Sequence, residues 1–487
     1  MLRLLTRIVS AVAIVVFVVL VAAAVAYYVF GMRIVLDGSG GLNVRFPASA
    51  DEQARRIEAH RQAQRTATAD VAPPTAIAPA SLPPEGTAVP GGAGVLAADP
   101  ALADWPAYRG PARDGIVPVR AILTDWPIDG LTPLWKQPIG GGYASLAVAR
   151  GRAFTIEQRG PREVAAAYDV RTGRELWTTA WDALFQEFMG GDGPRATPTW
   201  ADAVVYVLGA TGELRALSDA TGRTIWRVNI LDDNQAANVQ WGMAGSPLVV
   251  DDTVVVHPGG TNGRSVVAYD RRTGARVWAA QDDQAGYAAP MLATLAGVRQ
   301  IVVFSASRLM GLTPDGGQLL WEYPWRTEYD INAAQPIVVS DSRLFVSSGY
   351  GRGAAVIEIA RDGSTFTVRE VWRNIRMKNR FNSSVLHDGY IYGLDEGIFA
   401  CIDAATGDLK WKGGRYGYGQ VLLAAGHLIV LTEDGDLALL RATPDRHDER
   451  ARVPAIAGKT WNVPAMSGPV LLVRNIAEMA AFDLSVR

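Results

Sequence analysis

Apolar residues fall into three patterns along this chain. From Ile8 to Phe30 they form a run of 23 residues interrupted only by Ser10. A helix of that length crosses the ~30 Å hydrocarbon core of a bilayer. Arg3 and Arg7 precede the run, and Tyr27 and Tyr28 sit where an interfacial aromatic pair would lie. A cleaved signal peptide ending at Ala24-Val25-Ala26 is the competing reading, but the run exceeds the roughly 7–15 residues of a signal core. The pattern predicts an uncleaved single-pass anchor within residues 1–31, in the cytoplasmic (inner) membrane. Everything after it would face the periplasm or the exterior.

The second pattern, residues 32–104, has no sustained apolar period. Asp37-Gly38-Ser39-Gly40-Gly41 reads as a turn, and Asp51 to Arg65 as a short, highly charged helix forming a solvated stalk. Ala67 to Pro100 is dominated by Ala, Pro, Gly and Thr, so it predicts an extended linker unable to bury a core.

The third pattern occupies residues 105–487. Short β-branched and aromatic runs alternate with turn residues. One unit reads Ala196 to Trp200, then Val204 to Leu208, then Leu214 to Leu217, then Thr224 to Trp226, with Gly-bearing turns at Ala210-Thr211-Gly212 and Thr221-Gly222. The unit recurs. Ala167 to Trp177, Ala216 to Trp226, Ala268 to Trp278 and Cys401 to Trp411 align without gaps and share Thr-Gly-x-x-x-Trp. Degenerate copies end at Trp321 and Trp372, and a seventh ends near Val453. Self-similarity at about 45 residues means a propeller or a solenoid. The last copy lacks its final strand, and Pro133-Leu134-Trp135 supplies one at the other end. The fold predicted is all-β: an eight-bladed β-propeller of four-stranded blades, closed by the N-terminal strand and carried on an N-terminal transmembrane helix. Closure removes exposed sheet edges.

Composition refines this picture. A net charge of -2 argues against a nucleic-acid partner. One cysteine, Cys401, allows no intrachain disulfide and no four-cysteine zinc site. The five histidines show no ligand spacing, so no metal site is expected.

These residues resemble the PQQ-like, quinoprotein-type propeller repeat, whose signature is Ala-x-Asp-x-x-Thr-Gly-x-x-x-Trp. The resemblance extends from about Trp105 to the C-terminus. The lead-in Trp105 to Gly115 is similar to the entry segment of uncharacterised bacterial members. The resemblance implies that Trp135, Trp177, Trp226, Trp278, Trp321, Trp372 and Trp411 pack between blades, which accounts for many of the 14 tryptophans. It also covers both dehydrogenases and assembly-factor scaffolds. In the dehydrogenases an adjacent-cysteine disulfide lies over the quinone, and that disulfide is impossible here.

The loops entering each innermost strand would line one mouth of the channel. They carry Arg195, Gln240, Trp241, Tyr287, Gln335, Lys378, Asn379, Asn382 and Tyr418, together with Tyr143, Asn238, Asn332, Arg380, Gln420 and Asn462. Arg195 and Lys378 would suit an anion, and Trp241 or Tyr287 a planar group. No residue is assigned a catalytic role. The function expected is a membrane-anchored, non-catalytic binding or scaffolding module, with a protein or glycan partner in the envelope and no cofactor. The alternative is a PQQ-dependent alcohol or aldose oxidoreductase holding the quinone and calcium at the channel mouth.

Overall fold

Each repeat folds as one antiparallel four-stranded sheet, because short β-branched and aromatic runs, buried on both faces, are separated by turns whose residues reverse the chain tightly. A computed structural model describes residues 14–19, 21, 33–36, 42–45, 50–69, 89–90, 102–187 and 189–486. Blade 1 comprises Ala147–Ala149, Arg152–Arg159, Arg162–Asp169 and Glu175–Asp182. Blades 2 to 7 follow in chain order over 199–229, 248–280, 291–324, 337–374, 385–415 and 420–454. Blade 8 takes Ala465–Ser467, Val470–Arg474 and Glu478–Asp483 from the C-terminus. Its outer strand is Pro133–Pro138, with Ala481 opposite Trp135. The expected eight-bladed, all-β ring closed by the N-terminal strand is the observed one.

The core is a series of layers between neighbouring blades. Between blades 1 and 2, for example, Phe154, Ala165 and Trp177 pack with Val205, Val207 and Leu217. The outer-strand tryptophans finish most of these layers. The indole N–H of Trp135 donates to Val170 O, that of Trp177 to Asp219 O, that of Trp226 to Arg271 O, and that of Trp278 to Pro314 O. Trp372 and Trp411 donate to Ala404 O and Thr443 O. Each acceptor lies in the third-to-fourth-strand turn of the next blade. Except in blade 7, whose turn has no glycine, the glycine of that turn has positive φ, and a Cβ on Gly173, Gly222 or Gly274 would lie 2.5–2.7 Å from the indole of the preceding blade. Glycine there is thus required twice, by the backbone and by the ring above it. Trp226→Ala should cost about 3–5 kcal/mol, the range for emptying a large aromatic site. Urea unfolding with an unchanged m-value would check it.

Two blades depart from this scheme. Blade 5 joins its outer strands by a long hairpin, Gly353–Asp362 to Thr365–Asn374, with no Thr-Gly turn. Trp321 of blade 4 therefore finds no carbonyl across the gap and bonds Gln300 within its own sheet. In blade 7 the bulge places Ala451, not Val453, at the tryptophan position. No turn of blade 8 waits to receive a ring, because its third and fourth strands come from opposite chain ends. Ile122 and Trp126 of the entry segment fill the layer beside Val453 instead.

The membrane-spanning helix expected over 8–30 is corrected. Among the described residues no helix is long and apolar enough to cross a membrane. Of that run only 14–19 and 21 are described, and they are helical. The remainder of 8–30 lies outside the described residues. The charged helix is Ala50–Ala69, and it docks on the ring rather than standing as a solvated stalk. Within the linker, Val89–Pro90 adds antiparallel to the outer strand of blade 1.

Candidate functional site

The ring has two dissimilar faces. One carries the tight hairpin turns from first to second strand, and the other carries the loops that enter the innermost strands. The entry segment runs beneath the first of these. Ala103 O accepts from Ser467 in blade 8, and Trp105 exchanges two backbone bonds with Val148 in blade 1. Pro106 O accepts from Trp200 N in blade 2, and Ile116–Val117 pair parallel with Leu423 and Ala424 in blade 7.

Two side chains of this segment reach into the ring. The Arg113 guanidinium donates to Ser246 O at 3.1 Å, Pro290 O at 2.8 Å, Pro247 O and Thr199 Oγ1, joining blades 2, 3 and 4. Arg109 donates to Ser384 O at 2.7 Å and Asp114 O at 2.9 Å, with longer contacts to Ser383 O and Val421 O in blades 6 and 7. Both are buried. Burial pulls the Arg113 pKa down to about 9, so it remains a cation at neutral pH. The channel is plugged from this side.

At the inner-strand entrances a belt of polar side chains ties neighbouring blades. Ser145 N donates to Thr197 Oγ1, Thr197 N to Ser246 Oγ, and Gln335 N to Ser383 Oγ, at 2.9–3.0 Å. Gln335, Asn382, Gln420 and Asn462 are all buried in this belt. The Gln335 amide donates to Ala289 O, Gln420 to Phe381 O and Trp461 O, and Asn462 to Gly142 O and Ala144 O. Each leaves its amide oxygen without a protein partner, and Asn382 leaves both of its amide atoms so.

Aromatic rings and guanidinium groups from successive loops roof this belt. Arg195 lies 4.6 Å over Phe185 and 5.7 Å over Tyr143. Tyr143 meets Trp461 at 5.4 Å, Trp461 meets Phe381 at 4.4 Å, and Phe381 meets Tyr418 at 5.4 Å. Arg380 then bridges Tyr418 and Tyr350 at 4.7 and 5.1 Å, and Tyr350 meets Tyr329. Trp241 and Tyr287 form a separate edge-on pair at 5.8 Å. Stacked cations and edge-to-face rings of this kind attract one another beyond simple burial.

The residues singled out from sequence are thus divided among several tasks. Arg195 spends its donors on Gly191 O and Gly193 O. Lys378 is paired with Asp395 at 3.1 Å and with Glu396. Its burial opposes the charge, yet those two carboxylates hold its pKa above the usual value. Asn379 is buried, donating to Leu394 O and accepting from Ser384. Gln240 is exposed, Trp241 and Tyr287 are half-buried, and Tyr418 is buried beneath Arg380. Trp461, Phe381, Tyr350 and Tyr329 of the roof, and Arg109 and Arg113 of the plug, are not among the residues that the sequence pattern singles out.

These residues do not fit a quinone clamped by calcium. The charges that the entry segment brings to the inner strands are the cations Arg109 and Arg113, and the buried Arg474 donates to Gly140 O and Gly142 O before the inner strand of blade 1. Among the loop carboxylates, Asp395 is held by Lys378 and Lys412, and Glu433 accepts from the Trp461 indole and Tyr418 N. Among the described residues no group of three or more His, Cys, Asp or Glu is placed to hold a metal. Nor is there a nucleophile triad at His257 and Ser265, which lie 3.2 Å apart. The Ser265 hydroxyl donates to the Asp283 carbonyl, and the other ring nitrogen of His257 has no acid partner.

The family model described as outer membrane protein assembly factor BamB matches residues 161–413, just over half of the chain. The chain belongs to this family. The BamB of Burkholderia pseudomallei is 23% identical over 371 residues, covering 64% of this chain and 89% of that protein. Among solved structures, BamB from Moraxella catarrhalis matches with a TM-score of 0.54 at 17% identity, over 72% of this chain and 99% of that one. Quinohemoprotein alcohol dehydrogenase from Comamonas testosteroni matches with a TM-score of 0.55 at 14% identity, over 79% and 81%. At such identities the two structures establish the shared ring and nothing about chemistry.

Proposed function

We propose that this chain is a non-catalytic scaffold that binds protein partners in the bacterial envelope during outer-membrane protein assembly. The observation that carries this reading is the continuous aromatic and guanidinium roof over a plugged channel. Arg195, Lys378 and Asn379 are committed to holding loops, and the amide atoms left unpaired in the belt are buried, so what the face offers outward is ring surface and stacked cations, the composition of a protein-binding patch. Family membership supports the same direction, as does the name of the relatives it matches. Placement in the envelope rests on that likeness.

Photocrosslinking tests it. A benzoylphenylalanine in place of Tyr329 or Gln240, both exposed on the loop face, should capture envelope proteins in intact cells. The same group at Thr273, on the opposite face, should not. Equal capture from both faces would overturn the reading. So would reduction of a redox dye by the full chain with PQQ, calcium and an alcohol.

A further inference from the structure

The helix Ala50–Ala69 lies outside the segment matched by the family model, and its docking face is unusual. Gln53, Ile57, Arg61 and Gln64 are spaced four, four and three residues apart, which puts them on one side of a helix. That side meets the ring. Ile57 and Arg61 are each 1% exposed, whereas Arg55, Arg56, Glu58, Gln62 and Arg65 on the remaining surface are open to solvent.

The contacts fall around the place where the ring closes. Covalent loops join successive blades, so the ring's one non-covalent joint lies inside blade 8, between Glu478–Asp483 and Pro133–Pro138. The Gln53 amide donates to Ile139 O at 2.9 Å and to Ile476 O, one carbonyl from each side of that joint. Arg61 then fixes the closing strand against blade 1. It donates to Gln137 Oε1 at 2.7 Å and Pro138 O at 3.1 Å on the closing strand. From blade 1 it takes Glu175 Oε2 at 3.2 Å and the Tyr168 hydroxyl at 3.4 Å. Gln64 donates to the same Gln137 oxygen. Electrostatics add to the fit. Arg159 is shared between Glu157 and Glu175 at 2.6 Å each, and Arg61 brings a further cation to Glu175.

We infer that the helix Ala50–Ala69 is a latch on the ring's joint, holding the closing strand in register through Gln53 and Arg61. The ring can open at this joint without breaking a covalent bond, so fluctuations concentrate here, and a part that grips both sides suppresses them. The latch makes the state of the N-terminal segment felt by blade 8: pulling the helix away loosens the closing strand.

Hydrogen–deuterium exchange on the full-length protein tests this. In Arg61→Ala, amides of Pro133–Pro138 and Glu478–Asp483 should exchange about tenfold faster, while those of Leu319–Pro324 in blade 4 remain unchanged. Arg61→Lys, which keeps the charge but not the fork of donors, should fall between. Gln53→Ala, a milder change that leaves the ion pairs, should also loosen the same two strands. Unchanged exchange at the joint in all three variants would overturn the latch. A rise of equal size in blade 4 would overturn it too, because the helix would then act as general packing.

Discussion

Arg113→Ala is expected to destabilise the propeller by about 3–5 kcal/mol. The guanidinium is buried and satisfies the carbonyls of Ser246, Pro247 and Pro290 together with the Thr199 hydroxyl. Those carbonyls precede innermost strands or lie next to them, where no sheet partner remains for them. Alanine leaves the Ser246 and Pro290 carbonyls buried and unpaired, leaves Pro247 O with only the Thr199 hydroxyl, and adds a cavity where the side chain lay. Arg113→Met separates the two costs, since it keeps most of the volume and removes every donor. If hydrogen bonding dominates, Met should be nearly as harmful as Ala, and Lys should recover part of the loss. Chemical unfolding followed by tryptophan fluorescence reads all three. A loss below about 1 kcal/mol for Ala would mean that water replaces the guanidinium at little cost.

The second large effect concerns the chain before the first full blade. A chain beginning at Gly140 should fail to give one cooperative unfolding transition, whereas one beginning at Leu102 should retain it. The shorter chain loses Pro133–Pro138, so the apolar strand Glu478–Asp483 becomes an open edge bearing Ala480, Ala481 and Phe482. It also loses Trp105, Arg109, Arg113 and Trp126, which fill the ring and the gap beside blade 7. Exposed apolar edges pair with one another, so concentration-dependent aggregation should accompany the loss. Near-ultraviolet circular dichroism and light scattering distinguish the two truncations. A monomeric, cooperative chain from Gly140 would show that seven complete blades suffice.

Much of the ring was legible because its signals are local and repeated. Thr-Gly-x-x-x-Trp recurs where a turn must take positive φ beneath an indole from the preceding blade, so both partners of the contact are written into the motif. Trp321 broke the rule for a reason that the motif cannot carry, namely the long hairpin in the next blade. The same holds for Ala451, whose position depends on where a bulge falls. The candidate site was legible only as a list of loop residues. Reading loops by blade placed Arg195, Trp241, Tyr287 and Tyr418 on one face, but left out Phe381 and Trp461 because nothing local marks which side of a loop faces the axis. Helix Ala50–Ala69 read as a solvated stalk because its docking face carries a single large apolar residue, Ile57, among polar ones. Its hold on the ring is made by Gln53 and Arg61, and polar side chains give no hydropathy signal when they are buried.

The sequence by itself determined the repeat, its turn chemistry, the count of eight blades and closure by Trp135. All of these follow from short-range patterns and from a strand missing at one end and present at the other. Tertiary structure alone decided that the channel is plugged and that the loop face is a roof of rings. It also decided that Lys378 is already paired and that an N-terminal helix grips the joint. These depend on which distant side chains meet across the ring, and contacts between residues hundreds of positions apart leave no period in the chain.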